Sequence, residues 1–388
     1  MGKLLFIYER NMPTVALTTK GFERLSQGEN FTVKAKKLSD VKHNDIDDSD
    51  VVMFIRPDNV YSPKVAKCAH ESGTTVITFC DDDLLHIDSA SMPVVPWRKR
   101  GLINTLGQSD SIVSSSRYIL DKYCPLTFGK KDAVIDTLVL EEDFAPAERN
   151  NDVVKLVYAA SPAHVSLFEK YIREAFIRIA KQYGKKISIT FVGLRPELDE
   201  IKDVTNIAFK TGMPLEGYRK YMAEQQFDIG LAPLNSDNFS KCKYFNKYLE
   251  YTMSGVMGLY SNTEPYTYVV KNKKNGLLVD DGHWYEAIKL AVDDAELRKI
   301  CVENAREHVR NNFRKDQIIV KLKEDIPELF ETGRKRKACK SFVVWKMQYY
   351  FYRILDYIYL IIYYQHHGGI KRLTNKVVIH FRERGTSK

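Results

Sequence analysis

The chain reads as an α/β protein of two doubly wound, Rossmann-like domains, followed by an amphipathic helical tail. Three observations predict this. Short β-rich apolar runs, Leu4–Tyr8, Val51–Ile55 and Thr75–Phe79, alternate with helix-like segments such as Ser62–Glu71. The alternation restarts at Val154, after an acidic stretch from Glu141 to Asp152 that holds Pro146. A length of 388 residues allows two domains with a core each. Strands alternating with helices imply parallel sheets that bind ligands at the strands' carboxyl ends. The expected divisions are 1–147, 152–330 and 331–388, with a cleft between the first two.

Composition narrows the function. An apolar fraction of 44% and a charged fraction of 28% are those of an ordinary globular protein. The six cysteines are scattered, with no C-x-x-C pair and no histidine cluster beside them. That points away from a zinc site or disulfide framework and toward a reducing compartment. The opening Met-Gly-Lys-Leu-Leu-Phe-Ile-Tyr is too short an apolar run for a signal peptide and suits a buried strand. The net charge of +9 is uneven: residues 331–388 hold thirteen Lys/Arg and three Asp/Glu, a balance of +10, leaving the body at −1. A near-neutral body speaks against binding nucleic acid, and the basic tail reads as one adhesive segment.

In the first domain a helix from Trp97 to Leu106 leads into a fourth run, Ser111-Ile-Val-Ser. No G-x-G-x-x-G follows the first strand and no Walker A sequence occurs, which excludes the common dinucleotide and P-loop readings. At the carboxyl end of the third run stand Asp81, Asp82 and Asp83, followed by Leu84. Acids there suit holding acceptor hydroxyls, stabilising positive charge at a sugar carbon, or binding a metal. The other reading is a cap cluster opening a helix at Leu84.

The second domain predicts strands at Val154–Ala159, Ile187–Val192, Asn206–Phe209, Ile229–Leu234, Met257–Tyr260 and Leu277–Val279. Ser161-Pro162-Ala163-His164 is expected to open a helix running to about Gln182, with Ser161 as cap and free N–H groups for an anion. After Ile229–Leu234 comes a polar loop, Asn235 to Ser240, and then a helix expected to carry Lys243, Lys247, Glu250 and Tyr251 at i, i+4, i+7 and i+8, with Gly255 as its stop. Two lysines at a helix start after a strand suit an anion, and an acid two turns on suits sugar hydroxyls. An ordinary amphipathic surface helix fits the same spacing, and His164 alone fits a solvated helix position. His283 to Asn312 and Lys315 to Phe330 are strongly helical, the latter broken near Pro327.

The tail differs in kind. Arg334, Lys335, Arg336, Lys337 and Lys340 precede residues 342–364, a 23-residue stretch with seven tyrosines and Trp345. It has the length of a membrane span, but Lys346, Arg353 and Asp356 interrupt it. At 100° per residue those three form a polar stripe roughly 80° wide. The pattern suits a helix in the headgroup layer of an anionic membrane, held by Arg334, Lys335, Arg336, Lys337, Trp345 and Arg353. Packing on the protein or a partner, and a true span, are the alternatives.

The run Lys243-Tyr-Phe-Asn-Lys247-Tyr-Leu-Glu250-Tyr251, followed by Gly255, resembles the Lys-Ser-x-x-Lys-x-x-Glu-Tyr…Gly pattern of family 4-like glycosyltransferases of bacterial surface polysaccharide assembly. Asp228-Ile-Gly-Leu-Ala-Pro-Leu, Tyr266, Asn275-Gly276-Leu-Leu-Val, Asp81-Asp-Asp-Leu84 and Ser161-Pro-x-His164 also resemble segments of such enzymes. Two positions depart from the pattern. Tyr244 replaces the serine, and Cys242 stands where many relatives have the first acid of a Glu-x7-Glu pair that ends at Glu250.

The resemblance implies a GT-B fold and sugar transfer from a nucleotide diphosphate sugar, with retention of configuration and with no metal or other cofactor. Ser161, His164, Lys243 and Lys247 would meet the diphosphate. Glu250 would hold the ribose, with Tyr251 beside it, and Asp81, Asp82 and Asp83 would serve catalysis or the acceptor. A lipid-linked glycan acceptor, an anionic membrane surface and a possible partner glycosyltransferase are the expected partners. The expected place is the cytoplasmic face of the plasma membrane, peripherally attached. The rival expectation is a catalytically silent GT-B-like subunit that positions a partner enzyme.

Overall fold

The structure is a computed structural model, and it describes residues 1–86, 95–145, 152–331, 337–339, 347, 349–363 and 365–366. It contains two compact units, the first made of Met1–Ile135 with Leu322–Lys388 and the second of Asp136–Lys321. The change of unit therefore precedes the acidic stretch expected to mark it, and the first unit is completed by chain that returns after the second.

Unit 1 is built on six parallel strands, β1 (Gly2–Tyr8), β2 (Phe31–Lys37), β3 (Val51–Ile55), β4 (Thr75–Phe79), β5 (Ser111–Ser114) and β6 (Lys131–Val134), in the order β2-β1-β3-β4-β5-β6. Every residue of β3 and β4 is buried, as continuous apolar runs between helix layers require. The two edge strands, β2 and β6, lie outside the apolar runs that the sequence marks. In β2 only Phe31 is fully buried, so the run of Thr, Lys and Ala carries little apolar signal. The strand order reverses between β1 and β3.

Unit 2 repeats the plan with β7 (Val154–Ala159), β8 (Ile187–Val192), β9 (Asn206–Lys210), β10 (Ile229–Ala232), β11 (Met257–Ser261) and β12 (Leu277–Val279), in the order β12-β11-β10-β7-β8-β9. Its order reverses between β7 and β10. One face is filled by Phe168, Phe176, Phe191 and Trp284, and the other by Tyr248, Tyr251, Tyr260 and Phe313. The expected helix from Ser161 is a sequence of pieces: a 3-10 turn at Pro162–His164, a short α turn, a π turn at Phe168–Ile172 and an α-helix at Arg173–Tyr183. The strongly helical stretch from His283 to Asn312 is two helices, Trp284–Asp293 and Ala295–Asn312. Asp294 separates them by accepting from the Leu297 amide at 2.8 Å, which caps the second. The last expected helix stops at Asp325 and gives way to a 3-10 turn, Pro327–Leu329.

The tail belongs to unit 1. Residues 349–363 are helical, and among the described residues no helix is long and apolar enough to cross a membrane. Arg334, Lys335, Arg336, Trp345 and Lys346 lie outside the described residues, whereas Lys337 is exposed. Two expectations need correction here. Cys68 and Cys339 form a disulfide across a sequence separation of 271. Sequence spacing could not reveal it, because the pairing depends on the return of the chain. The Lys337 amide reaches the Ser72 carbonyl at 3.0 Å and the Cys339 amide reaches Asp47 at 2.7 Å, which lays this segment beside the helix that carries Cys68. Second, Arg353 does not belong to an outward polar stripe, for it donates to Glu9 at 3.1 Å.

Candidate functional site

In a doubly wound sheet the crevice for ligands opens at the carboxyl edge where the strand order reverses. In unit 2 that place is flanked by the residues after β7, Ala160 to His164, and those after β10, Pro233 to Asn235. The first connection must run close beside a neighbouring loop. Gly193, after β8, has φ of +89°, and a Cβ there would lie 2.4 Å from the Ala160 carbonyl, so glycine is required on both counts.

The residues singled out in the sequence gather at this edge. Lys247 donates to Glu250 at 2.6 Å and to the Tyr218 hydroxyl at 3.2 Å, and Tyr218 in turn donates to Glu250 at 3.2 Å. Burial works to lower the Lys247 pKa, but the charge of Glu250 and the neighbouring Tyr251 outweigh it and hold the pKa above the usual lysine range. The side chain is therefore a fixed cation that remains about a quarter exposed, at 26%. Ser161 Oγ lies 3.4 Å from His164 Nδ1. Burial, and then the positive charges of Lys243 and Lys247, push the His164 pKa down, which leaves its ring neutral near pH 7.

Lys243 differs from expectation in its backbone. The stretch is two helices, Asn238–Lys241 and Asn246–Met253, and Lys243 sits in the break between them, so it shares no helical face with Lys247. The break has physical causes. Asp237 caps the first short helix through the Ser240 amide at 2.8 Å. The Tyr244 hydroxyl accepts from the Thr137 amide at 3.2 Å and donates to Asp136 at 3.4 Å, while Phe245 packs edge-on against Phe313. Lys243 lies 4.8 Å from the centre of the Phe239 ring and makes no ion pair among the described residues. Cys242, where the resemblance places an acid, is buried, and its thiol donates to the Asn238 carbonyl at 3.1 Å.

Tyr251 has a packing role. It is fully buried and donates to the Leu231 carbonyl at 2.9 Å, and its ring fills the space left by Gly230, where a Cβ would come within 2.6 Å. Two further groups at this edge leave no trace in the sequence pattern. Tyr218, on helix Leu215–Gln225, completes the Lys247–Glu250 triangle. Lys170 reaches Asn235 at 3.3 Å, and Tyr171 reaches the same oxygen at 3.0 Å, which links the two strand-end connections. A lysine on an exposed helix turn carries no motif, so only the fold reveals it.

Unit 1 presents acids at the corresponding edge, and their environments differ. Asp81 accepts from Thr14 at 2.6 Å and lies 3.5 Å from the Arg56 guanidinium, which also reaches Asp82 at 3.1 Å. Arg56 follows β3 with φ of +50°, an uncommon conformation for a non-glycine residue that marks this loop as tightly constrained. Asp83 is buried, 1% exposed, and accepts from Lys122 and from Tyr123 at 2.8 Å, with His86 at 3.1 Å. Burial alone would raise its pKa, but those partners hold it below the usual carboxylate range. The cap reading finds no helix at residues 84–86, which form turns on the Asp82 and Asp83 carbonyls. Among the described residues there is no group of three or more His, Cys, Asp or Glu placed to hold a metal ion. A separate cavity of about 740 Å³, lined by His70, Thr75, Asp110 and Lys131, lies at the amino ends of β4, β5 and β6, away from the edge that doubly wound sheets use.

No protein-family model and no curated protein sequence matches the chain. Solved structures do. HepE from Anabaena, in complex with UDP and glucose, is 11% identical with a TM-score of 0.57, over 84% of this chain and 100% of that one. Sucrose-phosphate synthase from Thermosynechococcus elongatus is 11% identical with a TM-score of 0.59, over 85% and 99%. A glycosyltransferase from Rickettsia africae is 12% identical with a TM-score of 0.58, over 86% and 99%. With two parallel six-stranded sheets, reversal points in both, and these neighbours across most of its length, the chain has the GT-B fold.

Proposed function

We propose that this protein is a glycosyltransferase that moves a sugar from a nucleotide diphosphate sugar to a membrane-held, lipid-linked glycan acceptor, with retention and without a metal ion. The observation that carries this reading is Lys247 held against Glu250 on the helix that follows β10, with Ser161 and His164 in contact after the adjacent strand β7. The fold neighbours crystallised with UDP and with UDP-glucose support a donor of that class. Lys243 and Lys247 would neutralise charge on the departing diphosphate, an effect of about 3 kcal/mol for one well-placed group. Glu250 would accept hydrogen bonds from the ribose, and neutral His164 can donate or accept at the sugar side.

On unit 1, Asp82 with Asp81 beside it would receive the acceptor hydroxyl, and Asp83 would hold the loop that carries them. The basic tail would keep the protein on an anionic membrane surface. A silent subunit that positions a partner enzyme is the second reading. It is favoured by Cys242 and Tyr244, which are committed to backbone and unit 2 packing where the resembling enzymes carry an acid and a serine.

Calorimetry against UDP-, GDP-, TDP- and CMP-sugars, followed by transfer assays on Asp82→Asn, separates the two. The enzyme reading expects submillimolar binding of one donor, transfer that survives EDTA, and loss of at least about a hundredfold in transfer in the variant with donor affinity unchanged. Donor binding with no transfer to any lipid-linked acceptor would favour the silent subunit.

A further inference from the structure

The tail helix is amphipathic in the reverse of the usual sense. Its charged side faces the protein. Arg353 donates to Glu9 at 3.1 Å, Asp356 accepts from the Trp97 ring at 2.7 Å and pairs with Arg98, and Tyr349 is 1% exposed against Tyr61. Positions 349, 353 and 356 share one helical face. The opposite face carries Met347, Phe351, Ile354, Ile358, Ile361 and Ile362, exposed by 87, 55, 56, 46, 39 and 49%. At 100° per residue these six fall within an arc of about 100°. Between residues 347 and 363 the only Lys, Arg, Asp or Glu are Arg353 and Asp356, so the outward arc bears no charge. A continuous apolar stripe of this kind on a protein surface marks an interaction site.

We propose that this outward face inserts into the headgroup–acyl boundary of an anionic phospholipid bilayer. Charge chooses the occupant. The helix lies between two basic segments in the sequence, Arg334 to Lys340 on one side and Lys371 to Lys388 on the other, and the region from 331 carries +10. An anionic bilayer offers an apolar layer beneath negative headgroups and satisfies both features. A second copy of the chain would set +10 against +10. The inward contacts then acquire a purpose. Glu9 follows β1 and Arg98 also reaches Asp58, after β3, at 3.3 Å, so the helix is pinned to the carboxyl edge of the unit 1 sheet, the edge that carries Asp81 and Asp82. This deepens the membrane-held acceptor reading above and rests on it, since the bilayer would deliver its acceptor directly to that edge.

The test is flotation of the full chain with vesicles of equal parts phosphatidylglycerol and phosphatidylcholine, and with phosphatidylcholine alone. The wild type should bind the anionic vesicles at least about tenfold more tightly, and Ile354→Asp with Ile358→Asp should weaken that binding by about tenfold or more with donor affinity unchanged. Should the double variant fold poorly, Ile358→Trp gives an independent readout, expected as quenching by brominated lipid above the wild-type level. Vesicle binding that is equal in the double variant, or an indole at position 358 that brominated lipid leaves unquenched, overturns the inserted face while leaving a membrane-held acceptor intact. Failure of the wild type to bind either vesicle overturns both. A lipid-free dimer in sedimentation velocity that the double variant abolishes overturns the bilayer in favour of a second copy.

Discussion

At the carboxyl edge of unit 2, Lys247 pairs with Glu250, and Lys243 makes no ion pair among the described residues. At the same edge of unit 1, Glu9, Asp58, Asp81, Asp82 and Asp356 are interleaved with Arg10, Arg56, Arg98 and Arg353. One edge keeps a lysine outside any ion pair, whereas at the other Arg10, Arg56, Arg98 and Arg353 are all paired. A cation outside a pair is open to a bound anion, whereas interlocked pairs hold a loop in one geometry and offer little net charge to a ligand. Equivalent places in two similar sheets thus differ in chemistry: unit 2 leaves Lys243 outside an ion pair, and unit 1 holds its carboxylates in a paired network.

The largest effect that would sharpen this contrast is structural. Asp83→Ala leaves Lys122 without its carboxylate and Tyr123 without its acceptor in a buried setting, and should destabilise unit 1 by about 3 kcal/mol. Chemical denaturation with hydrogen exchange of β1 and β4 amides measures it, and unit 2 should be unaffected. A loss below about 0.5 kcal/mol would mean that the unit 1 acids are less interlocked than their distances imply.

Donor binding tests the other half. Lys247→Ala should weaken the affinity for a nucleoside diphosphate by tenfold to thirtyfold, or about 1.4–2 kcal/mol, and Lys243→Ala by less, because Lys243 stands in a break rather than on the helix. Calorimetry that finds no change in the double variant would remove Lys243 and Lys247 from any role in binding.

The pH profile of unit 1 tests the comparison in another way. Burial, against the Trp97 hydrogen bond, pushes Asp356 up to about 6. Burial, with Arg10 opposing and Glu9 adding, pushes Asp58 up to about 7. Acids with raised native pKa values bind protons in the fold that the unfolded chain releases, so stability falls as pH rises from about 4 toward those values. Asp83, with its pKa depressed, works in the opposite sense below pH 4, where its contribution is lost as its carboxylate is protonated. Unit 1 should therefore be most stable on the acid side of neutrality, and a denaturation midpoint that rises steadily from pH 4 to 8 would contradict the burial of these acids.

The interior of the fold is legible in the sequence. Val51–Ile55, Thr75–Phe79, Val154–Ala159 and Ile187–Val192 are expected with the bounds they have, because strands covered on both faces are written as unbroken apolar runs. The polar edges β2 and β6 are not legible, since one exposed face dilutes the signal. At the site, Ser161, His164, Lys247 and Glu250 stand out through residue type and spacing. Tyr218 and Lys170 do not, for their positions depend on strand order. The break at Lys243 is hidden because two of its causes, Asp136 and Thr137, lie more than a hundred residues away. In the tail the limit is orientation: spacing identifies Arg353 and Asp356 as sharing a stripe, but not which way the stripe faces.

The return of residues 322–388 to unit 1 has a consequence for the order in which the protein is made. Unit 2 is one uninterrupted length of chain and can close its core while the ribosome is still working. Unit 1 cannot, although most of it is synthesised first. The Leu329 carbonyl lies where a Cβ on Gly2 would stand, and Phe330 packs edge-on against Phe31, so β1 and β2 wait for a segment made some three hundred residues later. Until then the apolar surface that Leu329 and Tyr349 cover stays open to chaperones or to aggregation. The nascent chain is therefore most vulnerable in its oldest part, and a truncation that removes the last sixty or so residues would harm the first unit made rather than the last.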